Sequence, residues 1–181
     1  GTPRARAPVL YETRPESVGV NGYRLRSAGG DVDLIADNRT FWETDYYQLL
    51  PDDSLHRLEL PPTAVINDLY AGRLIVSLKD DWQRGDRKFT RDSILLADPG
   101  TLRSTGEGAG SGALDVLAES TGSEVVLGAA AAKSGILVSV LDNVRGRLYR
   151  YEESAPGWTR RQIPLPDNGS LEIESVDGTS G

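Results

Sequence analysis

The chain has 181 residues and a net charge of -7, from 20 basic and 27 acidic side chains, with no cysteine and no methionine. That balance leaves no basic face for nucleic acid or an anionic membrane. The missing thiols exclude disulfides, thiolate metal sites and cysteine nucleophiles, without fixing a compartment between cytoplasm and periplasm.

Hydrophobic residues make up 38% of the chain, enough for a core, yet no apolar run reaches the roughly 20 residues that cross a bilayer. A soluble chain is expected. Its start at Gly1-Thr2, without a methionine, reads as part of a larger protein.

Taken in order, the β-rich runs fall at residues 31–36, 54–60, 73–78, 93–97, 114–118, 123–129, 135–141, 146–151, 159–165 and 170–175. Gly, Pro, Asp or Asn bounds many of them, as tight turns between strands require. No stretch keeps an apolar stripe at helical spacing. The fold class is all-β, and short strands at even spacing suit a sandwich, a barrel or a propeller.

Internal repetition separates these three. Leu74-Ile75-Val76-Ser77-Leu78-Lys79-Asp80-Asp81 resembles Ile136-Leu137-Val138-Ser139-Val140-Leu141-Asp142-Asn143. Leu58-Glu59-Leu60-Pro61 and Ile163-Pro164-Leu165-Pro166 each close a run with proline. Four strands with their turns occupy roughly 40–60 residues, so the expectation is a partial β-propeller. It holds about three blades of four-stranded antiparallel sheet, at 9–62, 63–120 and 121–175. Such an array leaves two blade faces bare, to be covered by further chain or by self-association of copies.

The longer motifs identify a family. Leu78-Lys79-Asp80-Asp81-Trp82 and then Phe89-Thr90-Arg91-Asp92-Ser93-Ile94-Leu95-Leu96-Ala97-Asp98 resemble consecutive segments of the propeller of the prolyl oligopeptidase family of serine peptidases. The stretch from Leu141 to Tyr151, and Trp158 to Pro166 after it, is similar to a further pair of its signatures. The agreement in order and spacing covers about residues 60–175. Asp92 departs from the pattern, which has glycine there.

The resemblance implies a parent with a seven-bladed propeller over an α/β-hydrolase domain, cleaving short peptides after proline. The catalytic serine, aspartate and histidine of the family lie in that hydrolase domain, so none is carried onto this chain. The implied role is a non-catalytic cap that gates entry. Its partners are the hydrolase domain of the same parent chain and short peptides. The alternative is a propeller scaffold for protein interactions with no peptidase activity.

The residues agree that the chain lacks catalytic machinery. No G-x-S-x-G elbow occurs, and His56 is the only histidine. Asp52-Asp53 and Asp80-Asp81 lack the alternating oxygen pattern of a calcium loop and suit turns. The Gly-rich stretch 106–112 lacks the Lys-Ser/Thr ending of a phosphate loop and reads as a surface loop. Arg84-Gly85-Asp86 reads as another loop.

No cofactor or metal is expected. The one basic concentration is Arg145, Arg147, Arg150, Arg160 and Arg161. Arg145 and Arg147 share a strand face. Arginines of this cluster either pair with acidic neighbours such as Glu152 and Glu153, or line a channel or interface that steers peptide carboxylates.

Overall fold

A computed structural model describes residues 8–104 and 114–165. The first sheet is a meander of β1 (Gly19–Leu25), β2 (Val32–Asn38), β3 (Thr44–Leu49) and β4 (Leu55–Arg57), each antiparallel to the next. The middle sheet runs β5 (Val65–Tyr70), β6 (Arg73–Ser77), β9 (Ile94–Ala97) and β10 (Leu114–Ala118). Between β6 and β9 it extrudes a two-stranded hairpin, β7 (Trp82–Arg84) and β8 (Arg87–Phe89). The third sheet is a meander of β11 (Glu124–Ala132), β12 (Gly135–Asp142), β13 (Arg145–Ser154) and β14 (Gly157–Ile163). One short helix, α1 (Pro99–Leu102), interrupts the strands; Asp98 caps it by accepting a 2.7 Å hydrogen bond from the Gly100 amide.

The repeats seen in the sequence fall at equivalent places. Leu74 and Ile136 each begin the apolar part of the second strand of a sheet. Leu58 follows the fourth strand of the first sheet, and Ile163 ends the fourth strand of the third.

Packing explains the composition of these strands. In β6, Leu74 and Val76 join the cluster shared with the first sheet, whereas Ile75 joins the cluster shared with the third. In β9, Leu95 and Ala97 face the first sheet, and Ile94 and Leu96 the third. A sheet buried on both sides has no polar face to alternate with, so these strands read as unbroken apolar runs. Trp82 and Phe89 of the β7–β8 hairpin close the first cluster, their rings 5.5 Å apart.

The first hairpin of each sheet meets its counterparts. Ser27 Oγ accepts from the Gly72 amide at 2.9 Å, and Asp68 Oδ2 accepts from the Ala131 amide at 2.9 Å. A side chain at Gly29 would lie 2.2 Å from the Ala71 carbonyl carbon, so only glycine permits this approach.

Among the described residues four turns hold non-glycine residues in the left-handed region, the β3–β4 turn through Asp53 (φ 63°). Ala71 (φ 51°) precedes Gly72 in the β5–β6 turn, and Asn143 (φ 46°) and Val144 (φ 63°) form the β12–β13 turn. Asp92, where the family pattern has glycine, sits at φ 57°. Glycine would relieve that strain, and aspartate is among the few residues that tolerate it. A β-branched residue such as Val144 is the least suited, at a cost on the order of 1–2 kcal/mol.

The structure adds strands that the residue runs did not announce. β1 contains Gly19 and Gly22, β3 mixes Asp45 with Tyr46 and Tyr47, and β5 carries Asn67 at a bulge. Run 54–60 contracts to β4, because Leu58 bridges to Arg103 and the Glu59 amide turns to donate to the Leu102 carbonyl at the end of α1. The stretches 106–112 and 170–175 lie outside the described residues.

Ile75 is fully buried in the second cluster. Ile75→Ala is expected to lower unfolding stability by about 2–5 kcal/mol with an unchanged urea m-value. Gly29→Ala should also lower the denaturation midpoint, through backbone overlap rather than a cavity; an unchanged midpoint would refute the close approach described above.

Candidate functional site

An open groove of ≈ 990 Å³ lies between β10 and the β13–β14 hairpin. β10 contributes Asp115, paired with Arg73 across the sheet, and the hairpin contributes Tyr151, Glu153 and Trp158. Arg87 reaches in from β8, donates to the Leu114 carbonyl at 3.0 Å and lies 4.8 Å over the Phe89 ring. Tyr70 meets Trp158 edge-on at 5.8 Å and braces the groove from the middle sheet. The hairpin tip contains a cis peptide between Ala155 and Pro156.

Behind the groove, Glu124 accepts two hydrogen bonds from Arg160, at 2.8 and 3.0 Å, and the guanidinium stacks 3.5 Å over Tyr149. The bond from Arg160 holds the Glu124 carboxyl below its ordinary value, against a smaller opposing effect of burial. Glu124, not Glu152 or Glu153, is thus the partner of Arg160; Glu152 pairs with Arg150 at 3.6 Å. The acid that Arg160 meets across the sheet comes from β11, far away in sequence.

Arg145 and Arg147 lie outside this groove. They occupy the start of β13, opposite Asp142 and Val140. Arg145 is exposed and Arg147 half-buried, on the strand face that also carries Tyr149 and Tyr151.

A second polar centre was not legible in the residue pattern. Asp37 and Asp45 face each other across β2 and β3, at 0% and 3% exposure. Like charges directly opposite are destabilising unless neutralised. Asp45 takes a 2.8 Å bond from Arg57, with Arg14 at 3.6 Å and Arg39 at 3.7 Å from its other oxygen. Asp37 accepts from Tyr11 at 2.5 Å and Thr13 at 2.9 Å.

Burial pushes the Asp37 carboxyl upward, but the hydrogen bonds from Tyr11 and Thr13 and the charge of Arg14 outweigh it, leaving a net depression. Burial, followed by the bond to Asp37, raises the Tyr11 phenol. The Tyr11 ring also sits 5.0 Å from Tyr47. Residues 11–14 therefore strap the outer face of the first sheet.

His56 lies in β4, with Nε2 3.2 Å from Ser54 Oγ. This contact has the composition of a nucleophile and a base but not their polarity. Ser54 donates its single proton to Asp52 at 2.6 Å, so His56 can only donate to that oxygen. A catalytic aspartate would sit on the far ring nitrogen, not on the serine.

The acidic pairs serve turns. Asp52 accepts from the Ser54 amide, Asp80 from Thr63, and Asp81 from the Arg91 amide and Lys88. The Arg84-Gly85-Asp86 tripeptide caps the β7–β8 hairpin, with Arg84 tied to the Thr101 carbonyl at 2.5 Å. Among the described residues no group of three or more His, Asp or Glu side chains converges to hold a metal ion.

Comparison with known proteins extends this picture. No family model matches the chain. Its sequence is 28% identical over 138 residues to the uncharacterized peptidase y4nA of Sinorhizobium fredii (strain NBRC 101917 / NGR234), covering 72% of this chain and 18% of that protein. Its fold is similar to a post-proline cleaving enzyme from Rickettsia typhi, with a TM-score of 0.78 and 21% identity, covering 92% of this chain and 25% of that one.

The chain is therefore an all-β region similar in sequence to an uncharacterized peptidase and in fold to part of a post-proline cleaving enzyme. It spans about a fifth to a quarter of the length of these relatives.

The Asp37 centre generates a pH dependence. A carboxyl depressed in the folded state contributes stability above its unfolded pKa of about 3.9, and loses it as pH falls through the folded value. Asp37→Asn is expected to cost about 1–3 kcal/mol at pH 7. The gap to the parent sequence should close as denaturation is repeated toward pH 2, and a gap constant with pH would contradict the assignment.

Proposed function

We propose that this chain is three consecutive blades of a β-propeller, at about 9–62, 63–120 and 121–175, which forms the non-catalytic cap of a prolyl oligopeptidase-like serine peptidase. The observation that carries the reading is the convergence of the three meanders. Their first hairpins meet around a pocket of ≈ 210 Å³ lined by Arg26–Ala28, Asp68–Ala71 and Ala131–Lys133. Sheets whose first hairpins come together at one place suit blades set about a common axis, which is the plan of a propeller.

The likeness to longer proteins, of which the match covers 18% and 25%, supports a parent in which chemistry resides elsewhere in the polypeptide. An α/β-hydrolase domain would supply the serine, aspartate and histidine. The blades would act by steric exclusion, admitting short flexible peptides and turning away folded proteins. Cleavage after proline follows from the family resemblance. Arg145 and Arg147 are the residues of this chain proposed to face the passage or its interface, where their charge would draw peptide carboxylates.

The test uses the full-length polypeptide. It is expected to cleave a fluorogenic Gly-Pro peptide and to spare a folded protein with exposed prolines. Ser54→Ala and His56→Ala should each leave kcat/KM within about twofold, because neither touches the reacting atoms. A loss of a hundredfold or more in either variant would overturn the non-catalytic assignment. Arg145→Glu with Arg147→Glu should raise KM for peptides with a free C-terminal carboxylate but not for their amides; equal effects on both would remove the steering role.

A further inference from the structure

The pocket of ≈ 210 Å³ where the first hairpins meet holds two kinds of polar group. Ser27 and Asp68 are fully engaged in joining the sheets. Ser27 Oγ donates its single proton to the Gly30 carbonyl at 2.9 Å and accepts from the Gly29 and Gly72 amides at 3.3 and 2.9 Å. Asp68 accepts from the Leu69 amide through one oxygen, at 2.8 Å, and from the Ala131 amide through the other, at 2.9 Å.

The two cations of the lining are in the opposite state. Among the described residues the side chains of Arg26 and Lys133 have no hydrogen bond or ion pair. Their neighbours do: Arg24 is held by Asp33 at 2.6 Å, and Arg73 by Asp115. Arg26 comes from the first sheet and Lys133 from the third, so only the convergence of the hairpins places both on one cavity. The walls between them are already fixed by the close approach of Gly29 to Ala71 and by the bonds to Ser27 and Asp68. A cavity ordered in advance loses little further freedom when a ligand enters.

Charge and size define what it would take. Two cations and the one carboxylate of Asp68 leave a single net positive charge, which matches a monoanion. A guanidinium fork suits the two oxygens of a carboxylate. The remaining lining includes Ala28, Ala71, Ala131 and Ala132, small methyl groups that accommodate a small apolar side chain. The volume lies below the roughly 300–1,000 Å³ of cavities that enclose a whole drug-sized ligand, so it admits the end of a chain.

We propose that this pocket is an anion site that takes the C-terminal carboxylate of a peptide ending in a small apolar residue, with Arg26 and Lys133 as its cationic walls. It is separate from Arg145 and Arg147, because the β12–β13 turn lies at the other end of the third sheet from the β11–β12 turn. All of its groups belong to the three sheets, so the site does not depend on the peptidase reading.

The experiment is amine acetylation of the full-length polypeptide, read lysine by lysine by mass spectrometry, with N-acetyl-Ala-Ala as the probe. Lys133 and Lys79 are both exposed, and Lys79 lies outside the pocket and serves as control. At low salt, saturating free-acid probe is expected to slow labelling of Lys133 about threefold or more and to leave Lys79 unchanged, as a charge-assisted contact implies. The probe's carboxamide should protect neither. Arg26→Ala should keep the circular dichroism of the sheets and lose the protection, and Arg26→Lys should retain part of it. No protection, equal protection by the carboxamide, an equal effect at Lys79, or protection that persists in Arg26→Ala would each overturn the site. Protection by inorganic phosphate with none from the probe would overturn the peptide carboxylate as its ligand. Protection of Lys133 in a polypeptide that cleaves no Gly-Pro peptide would keep the site and remove the peptidase reading.

Discussion

Burial of the middle sheet on both faces is the constraint from which the rest of the architecture follows. β6 and β9 send alternate side chains to opposite clusters, so neither can exist without a sheet on each side. A four-stranded meander alone would expose one full apolar face, and burying such a face contributes roughly 25 cal/mol per Å² removed from water. The first and third sheets are therefore held in place by the same strands, and the first hairpins are brought together. That juxtaposition creates the glycine-only approach of Gly29 to Ala71 and the bond from the Ala131 amide to Asp68.

The two outer sheets resolve their free faces differently. The first sheet carries charge there: Asp37 and Asp45 are screened by arginines and covered by the strap bearing Tyr11 and Thr13. Losing one partner from such a network leaves a buried charge uncompensated, so the centre favours one arrangement of the strap. Facing the middle sheet, the third sheet carries Tyr151 and Trp158, which leave a groove rather than a sealed seam. Between the first and middle sheets the corresponding space is filled by Trp82 and Phe89 of the inserted hairpin.

Much of the fold was legible because it depends on local pattern. The runs around Leu74, Ile94 and Ile136 are apolar and β-branched, and their repetition pointed to equivalent strands before any contact was known. β1, β3 and β5 were not legible. Gly19 and Gly22, Asp45 and Asn67 contradict strand propensity, and their pairing is decided by neighbouring strands. The candidate site was less legible still. Arg160 was visible within a basic cluster, but its partner Glu124 lies 36 residues away in the chain. The Ser54–His56 contact was hidden in the opposite sense: residues of catalytic type meet, and only the donor geometry reveals that His56 cannot accept the serine's proton.

The sequence by itself determined the all-β class, the absence of thiol chemistry, the repetition of strand types and the resemblance to a peptidase family. These follow from composition, period and motif order, which need no knowledge of distance. Only the tertiary structure decided which acids meet which arginines, that the first hairpins converge, and that Arg26 and Lys133 line one pocket. Those outcomes depend on the sense in which successive meanders stack. That sense is set by burial across sheets, a contact between residues far apart in the chain that no local pattern encodes.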